Sequence, residues 1–97
     1  MIRRDGARMI VGGAVTLANV KRVVEEGERY LEEGVRTVDL SEVSDMDSSL
    51  LAALLAWARH ARARGHAIAF ARLPDSLQTL AGLYGVDGLL PPDPQRS

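Results

Sequence analysis

The chain has 97 residues, 46% of them apolar, and a formal net charge of −1 from 12 basic and 13 acidic side chains. That length suits one domain with a modest core, and so large an apolar share excludes intrinsic disorder. The absence of cysteine excludes disulfides, thiolate metal sites and Cys nucleophiles.

Near-neutral charge argues against a dedicated nucleic-acid surface or a polybasic membrane surface. The longest unbroken apolar run, Leu50 to Ala58, has nine residues. A membrane span needs about 20. Met1-Ile-Arg-Arg-Asp-Gly holds no apolar h-region, so no signal peptide is expected. The expectation is a cytoplasmic domain that does not insert into the membrane.

Asp5-Gly6 stands between two short apolar-containing stretches and suits a two-residue hairpin turn. The second strand, Arg8 to Val11, is expected to end at Gly12-Gly13. From Asn19 the period changes: Val20, Val23, Val24, Gly27 and Leu31 recur at helical spacing opposite Lys21, Arg22, Glu25, Glu26, Arg29 and Glu32. Gly34 marks the helix end. Val35 to Leu40 is short and β-branched and reads as a strand. Ser41 to Asp47 reads as a polar turn. A second helix is expected from Ser48 to Arg64, stopping at Gly65. Ala67 to Ala71 reads as a strand with Ile68 and Phe70 on one face. Asp75 with Gln78 suggests a capping box ahead of a third helix that carries Leu77, Leu80, Ala81 and Tyr84. Residues 91–97 hold three of the four prolines and read as a loose tail after a domain spanning 1–90. The order β-β-α-β-α-β-α predicts an α/β domain with a small mixed sheet.

Enzymatic constellations are poorly supported, and the chain is expected not to be an enzyme. His60 lies twelve residues beyond Ser48 on the same helix, about 18 Å away, so it cannot activate that serine. Two histidines among Arg59, Arg62 and Arg64 make a poor metal set. They read as solvated side chains near a helix C-terminus. Gly12-Gly13 carries neither phosphate-loop spacing. The basic stretch from Arg59 to Arg72 reads as a solvated face. Asp45 and Asp47 read as helix-capping carboxylates. No cofactor, metal or nucleic-acid partner is expected.

The informative stretch is Val38-Asp-Leu-Ser-Glu-Val-Ser-Asp-Met-Asp-Ser-Ser-Leu-Leu-Ala-Ala-Leu-Leu. A strand leads through a polar loop into a helix that opens with Asp47, Ser48 and Ser49. A hydroxyl there can cap backbone N–H groups. If phosphorylated, its charge would meet the positive end of the helix dipole. The segment resembles the STAS family, whose signature is a strand ending in Asp-Leu-Ser followed by Asp-Ser/Thr-Ser/Ala/Gly-Gly-Leu. The resemblance covers about residues 7 to 90. It implies the STAS fold, with Ser48 at the family's regulatory phosphorylation position; Leu50 stands where the family has Gly. Leu73 to Leu90, with its Leu-Ala-Gly-Leu-Tyr-Gly run, resembles the MlaB-type branch. These are small STAS subunits of a bacterial phospholipid-transport ABC complex that maintains outer-membrane lipid asymmetry.

The resemblance implies a non-enzymatic regulatory or assembly subunit that binds the transporter's cytoplasmic ATPase through the start of the second helix. It would lie at the inner-membrane face by way of that complex. The candidate contact residues are Ser48, Asp47, Ser49, Leu50, Ala53 and Trp57. Trp57 has two readings: an interface anchor, or a side chain packed on the edge of its own core. The alternative function is an anti-sigma-factor antagonist that binds a serine kinase. A homodimer is also open.

Overall fold

Strand alternation and helical periodicity sort the residues into two layers in the computed structural model, which describes residues 1–93. Four strands, β1 (Ile2–Asp5), β2 (Arg8–Val15), β3 (Thr37–Met46) and β4 (Ala69–Ala71), lie side by side in that order. β1 pairs antiparallel with β2, and the other neighbours pair parallel. Helices α1 (Val20–Glu32), α2 (Ser49–Ala63) and α3 (Asp75–Leu83) follow β2, β3 and β4, and a 3₁₀ turn covers Asp87–Leu89. The mixed sheet and the β-β-α-β-α-β-α order are as the sequence predicts.

Register assigns the two sheet faces. Met9 stands beside Val38, which stands beside Phe70. These side chains join Val11 and Leu40 in one core with Val23 and Leu31 of α1, Leu54 of α2 and Leu77 of α3. The helices therefore cover this face. The alternate residues Arg8, Ile10, Asp39 and Ala71 point to the other face. That face is held by ion pairs. Arg8 bridges two buried carboxylates, reaching Asp39 Oδ2 and Asp93 Oδ2 at 3.1 Å each. Arg3 grips Glu42 with both guanidinium nitrogens.

α2 carries the largest core side chain. The Trp57 indole lies against α1, where Gly27 has no Cβ to obstruct it. Its Nε1–H donates to the Val24 carbonyl at 3.0 Å, so the one polar atom of the buried ring is paired. Helix ends follow the expected glycine pattern. At α1 the Val35 N–H donates to the Tyr30 carbonyl and the Gly34 N–H to the Leu31 carbonyl, with Gly34 at φ 108°. This is the Schellman arrangement, and only glycine adopts its left-handed residue without strain.

Several local expectations need correction. The hairpin turn is Gly6-Ala7, one place beyond Asp5-Gly6, with Gly6 alone at positive φ. β2 does not stop at Gly12-Gly13. A register irregularity there lets it run on to Val15, opposite Met46. Ser41 to Met46 is therefore strand, because ladder pairing outweighs its turn-like composition. The Asp75–Gln78 capping box does not form. Pro74 is the N-cap residue, and Gln78 Nε2 donates to the Leu73 carbonyl instead. His60 is not a solvated side chain. It sits against α1 with Nε2 2.7 Å from Glu32 Oε2, and Arg64 pairs with the same carboxylate. Residues 91–93 are tied down: the Phe70 N–H donates to the Pro91 carbonyl, and the Asp93 N–H to the Phe70 carbonyl. The rest of the expected tail, 94–97, lies outside the described residues.

Candidate functional site

Two strand-to-helix connections meet at one end of the sheet. The β2–α1 connection supplies Thr16 to Asn19, and the β3–α2 connection supplies Asp47 and Ser48. Asp47 ties them together. Its Oδ1 accepts from the Ser49 N–H at 2.8 Å, and its Oδ2 accepts from the Leu17 N–H at 3.0 Å. The Asp47 N–H in turn donates to the Val15 carbonyl. Asn19 stiffens the other loop, accepting from the Thr16 N–H and donating to the Ala14 carbonyl.

The consequence for Ser48 is direct. Asp47 takes the role of the capping side chain, so Ser48 makes no side-chain cap hydrogen bond although it occupies the cap position. Ser48 is exposed at the start of α2, and Ser49 beside it is half-buried. The hydroxyl thus stands at the positive end of a 15-residue helix without being committed to the fold. Asp45 does not cap α2; it is an exposed residue of β3, opposite Ala14.

The structure separates the six sequence-predicted contact residues into two groups. Asp47, Ser48 and Ser49 stand together at the helix start. Leu50, Ala53 and Trp57 have no exposed surface at all. The apolar stripe of α2 is wide because the helix is covered on several sides, by the sheet, α1 and α3. Trp57 is therefore core and not an interface anchor, and Leu50 and Ala53 offer no side-chain surface. Sequence reasoning missed Leu17, which is 79% exposed and linked to Asp47 through its backbone. Its only sequence signal is an apolar residue in a polar strand-to-helix connection, a pattern equally suited to a buried staple.

Asp47 at this end of the sheet and the buried Asp39 near the start of β3 both carry depressed pKa values. The Leu17 and Ser49 amides hold Asp47 below the ordinary carboxylate value. Burial pushes Asp39 upward, but hydrogen bonding from Ser41 and the charges of Arg8 and Arg72 outweigh it, leaving Asp39 depressed. A depressed folded-state pKa means that the unfolded chain binds the proton more tightly. The stability from these groups is complete above about pH 5 and is lost as pH falls from about 4 through the folded-state values. Thermal unfolding from pH 7 to 3 should show a falling Tm on the acid side. Asp39→Asn should start from a lower Tm and show a shallower acid loss.

The fold and the paired strand-to-helix connections define a STAS domain. The family described as "Mlab, STAS domain" matches residues 2–91, nearly the whole chain, and the chain belongs to that family. No curated protein matches it in sequence. Among solved structures it is similar to the anti-sigma-factor antagonist SpoIIAA in its unphosphorylated form, with TM-score 0.70 and 13% identity over 96% of this chain and 86% of that one. The Bacillus cell-fate determinant SpoIIAA in its phosphorylated form gives TM-score 0.68 and 13% identity, over 96% and 89%. At that identity the likeness is one of fold.

Proposed function

We propose that this STAS domain is a non-enzymatic regulatory or assembly subunit. In this reading it binds the cytoplasmic ATPase of a phospholipid-transport ABC complex through the start of α2. The observation that carries the proposal is the division of labour between Asp47 and Ser48. Asp47 caps the helix, and the exposed Ser48 hydroxyl is left for a partner. Membership of the MlaB-type STAS family supports the choice of partner. Leu17 supplies apolar contact beside the hydroxyl, and Asp47 and Ser49 set its position. Catalysis has no support at this site, since His60 is engaged with Glu32 on the far half of α2.

A second reading rests on the fold likeness to SpoIIAA. In it the same surface meets a serine kinase and Ser48 is the phosphorylated residue. Titration of the protein against a purified transporter ATPase and against a purified anti-sigma kinase separates the two readings. Stable binding to the ATPase alone is the expected result, and binding to the kinase alone would replace the first reading with the second. Leu17→Asp should weaken the ATPase complex about ten-fold or more, as loss of an apolar contact at an interface centre does. The Tm of the free protein should hardly move, because Leu17 is exposed.

A further inference from the structure

The basic stretch at the far end of α2 borders an apolar groove of about 790 Å³. The groove opens between the C-terminal half of α2, the segment leading into β4 and the 3₁₀ turn. Leu55, Ala58, Ile68, Val86 and Leu89 form its apolar lining. Ile68 is buried, and Leu89 remains 47% exposed. Arg59, Arg62 and His66 complete the lining, and no acidic side chain belongs to it. Arg59 and Arg62 stand three residues apart, so they project to the same side of the helix. Arg3, Arg4, Arg8 and Arg64 each meet a carboxylate. Arg59 and Arg62 have no such partner among the described residues.

An apolar trough with a few cations converging at its edge, of a volume typical for one small ligand, is a binding arrangement. The charges select the class of ligand. Guanidinium groups recognise carboxylate or phosphate oxygens through paired N–H donors. The apolar lining demands an aliphatic body. We infer that this groove holds one monomeric single-chain amphiphile with an anionic head, its chain along Leu55, Ile68 and Leu89 and its head between Arg59 and Arg62. Three elements wall the groove. A concave site of this form suits a single molecule, whereas a bilayer surface would need a protruding apolar face. Along α2 the groove runs from Leu55, about 10 Å beyond Ser48, to Arg62, about 21 Å beyond it, so the arginines that hold the head group stand apart from the docking surface.

Calorimetric titration of the full chain with decanoate, below its micelle-forming concentration, tests the assignment. Decanol and decyltrimethylammonium serve as neutral and cationic controls. Decanoate should saturate at one molecule per chain and bind about ten-fold more tightly than decanol, and the cation should not bind. The double variant Arg59→Gln with Arg62→Gln should lose about ten-fold in decanoate affinity at an unchanged Tm, since both residues are exposed on the helix surface. Ser48→Glu should leave decanoate binding intact. Equal binding of decanoate and decanol, full affinity in the double variant, or no saturable binding would overturn the inference. Binding only to anionic vesicles, and not to monomeric decanoate, would also overturn it and make this face a membrane contact.

Discussion

Trp57→Ala should destabilise the free domain by about 3–5 kcal/mol, the usual effect of deleting a large buried aromatic side chain. For a domain of this size that lowers Tm by roughly 15 °C or more. The indole is fully buried, donates to the Val24 carbonyl and fits against Gly27. A methyl group on Gly27 would overlap three atoms of the ring. Gly27→Ala should therefore destabilise by about 1–3 kcal/mol, as overpacking does, despite the better helix propensity of alanine. In a Trp57→Leu background most of that penalty should disappear, because the clashing ring is gone. Urea unfolding of the two single variants and the double variant measures the coupling. Purely additive effects would contradict the packing described for this pair.

Ser48→Glu should abolish measurable ATPase binding while leaving the domain folded. A carboxylate at a helix N-terminus suits the dipole, so folding is little affected. At a docking surface the same charge must be desolvated without a prepared partner, and binding suffers. Ser48→Ala should weaken the complex by up to about 100-fold, because the partner's polar group is left buried and unpaired. Its effect on the free domain should be slight, since Asp47 rather than Ser48 caps α2. Ser48→Thr keeps the hydroxyl and should bind like the parent. The expected order of affinity is Ser and Thr together, then Ala, then Glu. Equal affinity across the four proteins would remove Ser48 from the interface.

The sequence made the layer order legible because period changes at Asn19, Val35 and Ser48 are sharp and glycines mark the helix ends. It did not reveal the lengths of β2 and β3. Gly12-Gly13 and the polar run from Ser41 look like turns, and only their pairing across the sheet makes them strand. Asp47, Ser48 and Ser49 were readable as a helix start because Asp and Ser there have few other uses. Which of them caps was not readable, since Asp47 gains its second hydrogen bond from Leu17, thirty residues away in the chain. Trp57 was ambiguous for a related reason. Its burial depends on Gly27 in another helix, a contact that no periodicity within α2 reveals. The Arg8 bridge to Asp39 and Asp93 joins residues at opposite ends of the chain and left no local trace.

The proposed docking through the start of α2 can be tested by backbone hydrogen exchange of the protein alone and mixed with a transporter ATPase. The amides of residues 16–19 and 48–52 should slow in the complex, since both connections meet at Asp47. Those of Gly65 to Ala69, at the other end of α2, should exchange as in the free protein. Protection confined to that far end, with Leu17 and Ser49 unchanged in a stable complex, would contradict docking through the start of α2.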